Sequence, residues 1–275
     1  MSLFILIFGT VNMSNNQPRL LHLDEPIKGV ARLRFNRPDV LNAINNEMAE
    51  ELVQIYSDLA VRSDVLCLIL TGTGRAFCVG ADLKERSTMS TDELRRQHLV
   101  HRLAFTIRRS FEFPVIAAVN GIAHGGGAEI ALGADILYAV QNASFRLPEV
   151  HRGIMPGMGG TQFLSRAVGS KVALQLLIDG TEVSAEEGYT KGFVNRIVVD
   201  GSLEEHVLNL AHNISRAPPL SVRAVTRSIR DGSGTNLESG LELELALHQR
   251  LMASDDAKEG FTAFAEKRDP NWSGS

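Results

Sequence analysis

The sequence predicts a mixed α/β fold that turns purely helical near residue 200, and three observations carry this. Apolar runs at residues 65–70 (VLCLIL), 115–119 (VIAAV) and 136–140 (ILYAV) have the length and continuity of buried strands. Between them, apolar residues recur at helical spacing. From Ser202 to Lys267 the text is mainly helical, broken at Pro218-Pro219. The chain is expected to divide into an N-terminal extension (1–17), an α/β core (18–200) and a helical region (201–275) whose apolar positions need something to cover.

The elements follow in order. Residues 1–11 (MSLFILIFGTV) are apolar but too short to span a bilayer and lack the basic start of a secretory signal. Met13 is expected to be an alternative start, with the preceding residues disordered. Residues 30–35 (VARLRF) alternate as a half-buried strand. Leu41, Ile44, Met48, Leu52, Ile55 and Leu59 mark a helix whose polar face is acidic. After the 65–70 run, Thr71-Gly72-Thr73-Gly74 invites a nucleotide-loop reading, but Phe77 stands where the third glycine of G-x-G-x-x-G belongs. A charged helix spans 89–109, with Ser90 or Thr91 as N-cap.

The central stretch, 114–149, carries the chemistry. The strand 115–119 leads through Asn120-Gly121 to His124-Gly125-Gly126-Gly127, which sits at or just before the N-terminus of a helix reading from Ala128 to Leu132. Glycines there leave backbone N–H groups uncovered where the helix dipole favours negative charge. Glu129 falls in or near the first turn, and Glu149 follows the strand 136–140. Exposed amide donors beside two carboxylates can stabilise an oxyanion and move protons. Taken alone, the same features also fit a tight turn followed by a dipole-complementing glutamate. Further on, helices are expected at 161–168 and 171–178, a capping box at Ser184–Glu187, and a last strand at 194–199.

Composition excludes several classes. The charge of −4 and the absence of a basic stripe argue against nucleic acid or an anionic membrane as partner. Two cysteines, Cys67 and Cys78, give no disulfide framework and fit a reducing compartment, hence a cytoplasmic protein. The histidines form no metal-ligand pattern, and no nucleophile elbow, zinc motif or Walker loop occurs.

The phrases NRPDVLNAI (36–44), AFCVGADLKE (76–85), PVIAAVNGIAHGGGAEIALGADI (114–136), LPEVHRGIMPGMGGTQ (147–162) and FTAFAEKR (261–268), in this order, closely resemble the enoyl-CoA hydratase/isomerase (crotonase) superfamily. The resemblance covers residues 20–272. It implies a spiral of β-β-α repeats forming two roughly perpendicular sheets, with a C-terminal helical region that makes homo-trimers, commonly paired into hexamers. It implies an acyl-CoA thioester substrate and no cofactor beyond the coenzyme A the substrate carries. By motif, the oxyanion donors are the N–H groups of Ala81 and Gly126, and the catalytic glutamates are Glu129 and Glu149. Val40, Val79, Ala81, Asp82, Leu83, Lys84 and Gly126, with Phe264 and Lys267 in the tail, match CoA-binding positions. Both glutamates being present favours hydration of 2-enoyl-CoA. The alternatives are an isomerase, a methylglutaconyl- or carnitinyl-CoA type hydratase or dehydratase, or, in another class, a non-catalytic acyl-CoA scaffold. Arg146, His151 and Arg152 surround Glu149 with basic groups, and His124 stands where many relatives are apolar. Either they serve a polar acyl chain, or strand alternation turns Arg146 away.

Overall fold

Strands and helices alternate along the chain in the computed structural model, which describes residues 19–275. The expectations for residues 1–17 lie outside the described residues. β1 (Leu21–Ile27) and β2 (Val30–Phe35) form an antiparallel hairpin. α1 (Asn46–Ala60), β3 (Cys67–Gly72), β4 (Ala76–Cys78), α2 (Leu83–Arg86) and α3 (Thr91–Arg109) follow. Next come β5 (Val115–Val119), β6 (Ile122–His124), α4 (Gly126–Leu132), β7 (Ile136–Val140) and β8 (Ser144–Arg146). Then α5 (Gly160–Val168), α6 (Ser170–Asp179), β9 (Val183–Ser184), α7 (Ala185–Lys191) and β10 (Arg196–Val198) complete the alternating part. The remainder is helical: α8 (Leu203–Ser215), α9 (Pro219–Gly232), α10 (Leu237–Met252) and α11 (Asp255–Glu266).

The strands sort by position in a repeat. β3, β5 and β7 enter a six-stranded sheet of order β1-β2-β3-β5-β7-β10, and their followers β4, β6 and β8 enter a four-stranded sheet of order β4-β6-β8-β9. Each successive β-β unit thus gives one strand to each sheet, with parallel pairing between repeats. β5 is buried along its whole length, as its unbroken apolar run requires. Cys67 and Cys78 are free and buried, and burial pushes the Cys78 thiol up to about 12.

Some boundaries differ from the sequence reading. α1 begins at Asn46, capped by the Asn45 side chain, because Leu41 and Asn42 adopt left-handed backbone and end a short 3-10 turn. Ser90 rather than Thr91 caps α3, in a full capping box with Glu93. α8 buries Leu203, Val207 and Ala211 against the large sheet, so the change of composition near residue 200 precedes the last helix that covers it.

Candidate active site

The site begins with two backbone N–H groups. β6 ends at His124, the φ of +52° at Gly125 turns the chain into α4, and Gly126 is the first helical residue. Its N–H therefore has no intrahelical acceptor. Opposite it, Ile44 pairs with Ala81 in an isolated parallel bridge: Ile44 N–H donates to the Gly80 carbonyl at 2.8 Å, and Asp82 N–H donates to the Ile44 carbonyl at 2.9 Å. That pairing turns the Ala81 N–H to the other side. Among the described residues neither amide donates to a protein acceptor. The two segments touch. A Cβ built on Gly80 would lie 2.5 Å from the Gly126 nitrogen, and one on Gly126 would lie 3.9 Å from the Ala81 nitrogen. Gly80 has a φ of +80°, so its glycine identity is required both by conformation and by this approach.

A polar knot fixes the Ala81 loop. Asn42, fully buried, accepts from Arg37 N–H and donates to the carbonyls of Thr73, Ala76 and Phe77. The Arg37 guanidinium donates to the Ala43 carbonyl and, at 3.0 Å, to Asp82. Asp82 also caps α2 by accepting from Lys84 and Glu85 N–H. Burial opposes ionisation of Asp82, but Arg37 and these amides outweigh it and hold its carboxyl below the usual range. The NRPDVLNAI phrase thus acts by shaping the oxyanion loop, and the Asp82 side chain belongs to that scaffold.

Two carboxylates face the amides. Glu129, one turn into α4 and 3% exposed, accepts at Oε1 from Met158 N–H (2.7 Å) and Gly160 N–H (2.8 Å). Burial raises its pKa, while the Gly160 and Met158 amides pull it back toward the charged form. Glu149 opens the 3-10 turn Glu149–Arg152 and is 7% exposed. Its Oε1 lies 3.3 Å from where a Gly125 Cβ would stand, and its Oε2 has no hydrogen-bond partner among the described residues. Burial is the main cause that lifts its pKa to about 7; the charge of Glu129 adds to the rise, and Arg152 opposes it.

The structure therefore brings Ala81, Gly126, Glu129 and Glu149 together. Val79 is half-buried beside Gly125, whereas Val40, Leu83 and Lys84 are exposed around the loop. Phe264 is 87% exposed, and Lys267, in left-handed backbone, ends α11. Their helix packs on α10 and bonds to the C-terminal tail, with no hydrogen bond to the cluster. Of the basic residues beside Glu149 in sequence, Arg146 donates to the Gly180 carbonyl and His151 meets the Asp179 carbonyl, while the charge of Arg152 reaches Glu149; His124 pairs with Glu182. Sequence reading missed the role of the PGMGG phrase, whose glycine-rich entry to α5 supplies the amides that hold Glu129. It also missed a basic face on α3, formed by His98, His101 and Arg102 with Arg86 of α2. Among the described residues, no group of three or more His, Cys, Asp or Glu is placed to hold a metal ion. No helix of the described residues is long and apolar enough to cross a membrane.

The family model for enoyl-CoA hydratase/isomerase matches residues 25–275. The chain belongs to that family. A short-chain-enoyl-CoA hydratase of Clostridium acetobutylicum is 38% identical, over 87% of this chain and 92% of its own. A 2,3-dehydroadipyl-CoA hydratase of Escherichia coli is 37% identical, over 89% and 95% respectively. Among solved structures, an enoyl-CoA hydratase of Bacillus anthracis superposes with a TM-score of 0.91 at 35% identity, covering 94% of this chain and all of that one. The two-sheet spiral with its C-terminal helices is thus the family's fold.

Proposed function

We propose that the protein is an enoyl-CoA hydratase, a hydro-lyase that adds water reversibly across a 2-enoyl-CoA thioester. The observation that carries this reading is the convergence of two unengaged backbone N–H groups with two buried carboxylates. The thioester carbonyl accepts from Ala81 and Gly126 N–H, so the charge that develops on its oxygen as water attacks Cβ is met by fixed donors. Glu129, favoured as a carboxylate by its two amide bonds, takes a proton from the attacking water. Glu149, with a free Oε2 and a pKa of about 7, gives a proton to Cα. Hydroxyl ends on Cβ and hydrogen on Cα, and the proton gained by Glu129 returns to Glu149 through solvent, which closes the cycle.

This is proton chemistry, so it calls for no cofactor beyond the coenzyme A carried by the substrate. Val40, Val79, Leu83 and Lys84 border the loop where the CoA arm passes, and Lys84 supplies charge for its phosphates. Phe264 and Lys267 reach a CoA site across a subunit contact in a homo-trimer or hexamer, an assembly supported by the exposed apolar side chains of α9 to α11. A cytoplasmic location is supported by the two buried free cysteines. Retention of both carboxylates disfavours a one-glutamate isomerase and a scaffold without turnover. Loss of enoyl-thioester absorbance with crotonyl-CoA tests the reading; a folded protein that binds CoA esters but leaves crotonyl-CoA unchanged contradicts it.

A further inference from the structure

Beside the catalytic groups lies a set of cationic and imidazole side chains that the hydration step does not use. Arg86 ends α2, five residues after Ala81, and its Nε donates to Gln97 Oε1 at 2.6 Å. Gln97 is buried on α3 and in turn donates to Asn46 and Glu85, which fixes α2 against α3. His98 and Arg102 stand one turn apart on that helix and both meet the loop that holds Glu129. A Cβ on Gly157 would lie 2.7 Å from His98 Cε1, and Arg102 donates to the Gly157 carbonyl at 3.3 Å. Met158, the next residue, gives its N–H to Glu129. His101, 6% exposed, leaves its Nε2 without a partner.

Among the described residues, none of Arg86, His98, His101 and Arg102 has an ion-pair partner. Glu85, beside Arg86, is engaged by Asn46 N–H and Gln97. Burial, then Arg102 and Arg86, lowers the His98 pKa; burial, then Arg86 and His98, takes His101 to about 4. The group is therefore a half-buried guanidinium, Arg86, with spare donors and an exposed one, Arg102, next to imidazoles held toward the neutral form. The charge of Glu85 acts on Arg86 but makes no ion pair with it, so a ligand carboxylate that accepts from the guanidinium fork stabilises this partly desolvated cation.

We propose that Arg86 and His98 form an anion subsite for the far end of the acyl chain, so that the preferred substrates carry a terminal carboxylate. This rests on the acyl-CoA reading above, which ties the thioester carbonyl to Ala81 and Gly126; Met158 Cε lies 2.8 Å from where a Gly126 Cβ would stand, so the Gly157-Met158 loop that meets His98 borders the same place. Arg86 takes the carboxylate through its two terminal nitrogens, and His98 offers a neutral N–H. The enoyl end is then positioned by charge at one side and by the oxyanion donors at the other.

Calorimetric affinities for glutaryl-CoA against pentanoyl-CoA, and adipyl-CoA against hexanoyl-CoA, test this on the intact protein. The wild type is expected to bind the dicarboxylic ester about tenfold more tightly at one or both lengths, a preference that collapses toward one in Arg86→Met. Arg86→Lys, which keeps the charge but loses the fork, should retain part of it and serves if the methionine variant does not fold. Equal or tighter binding of the neutral esters at both lengths overturns the subsite, as does a preference that survives in Arg86→Met. The hydratase reading is separated by turnover: crotonyl-CoA hydration without acid preference sinks only the subsite. Failure to bind any of the four esters sinks both.

Discussion

The alternating part of the chain and its last three helices bury their apolar residues to different degrees. β5 is buried throughout, and Asn42 and Arg37 pair their polar groups with the neighbouring backbone and Asp82. α9 and α10 contain no buried residue, and Val225, Ile229, Leu237, Leu241, Leu245, Phe261 and Phe264 are exposed. α9 is tied back through Arg230, which reaches Asp135 and the carbonyls of Phe111 and Phe113. The amide pair and both carboxylates therefore come from residues that the single chain packs alone. The tail exposes large apolar side chains on three successive helices.

Three substitutions sharpen that contrast, in order of expected effect. Gly80→Ala places a methyl 2.5 Å from the Gly126 nitrogen in backbone that disfavours any side chain, so the amide pair must separate. Its kcat for crotonyl-CoA should fall by about 10²–10³-fold, measured with circular dichroism to confirm folding; a near-normal kcat would remove the pair from the mechanism. Glu149→Gln addresses the electrostatic cost within the packed part. Because the folded-state pKa of Glu149 is about 7, above the ordinary 4.5, the native protein holds a proton between these values that the unfolded chain has released. Its stabilising contribution is complete below pH 4.5 and is lost as pH rises through 7. Glutamine stays neutral, so the variant should gain roughly 2 kcal/mol on wild type between pH 5 and pH 8 in urea denaturation. A constant difference across that range would show that the carboxyl is not perturbed. Leu241→Asp, on the exposed face of α10, should lower the sedimentation mass of the proposed homo-oligomer while shifting the stability of the single chain by no more than about 0.5 kcal/mol. An unchanged mass would rule this face out as the proposed subunit contact.

Legibility followed element length and continuity. Strands β5 and β7 were read at their observed bounds because continuous apolar runs need no tertiary knowledge. β1 was missed: its segment LHLDEPI carries acidic residues and a register shift between Asp24 and Ile27 that breaks the alternation. β4, β6 and β8, at three residues each, are too short to show a period. Ile44 fits the spacing of α1 but serves instead to align Ala81, which only the left-handed backbone at Leu41 and Asn42 explains. Glu129, Glu149, Ala81 and Gly126 were legible through motif phrases. The Arg86–His98 group was not, since in the sequence His98 is one polar residue of a charged helix over 89–109 and Arg86 lies outside it. Its meaning arises only when Gln97 clamps α2 to α3.

The most direct test of the account is the rate of crotonyl-CoA hydration by wild type, Glu129→Gln, Glu149→Gln and the double variant under single-turnover conditions. Two carboxylates acting on one water predict losses of about 10²–10⁴-fold in each single variant, and a double variant little worse than the poorer single. A single variant that retains the wild-type rate would contradict the two-carboxylate mechanism.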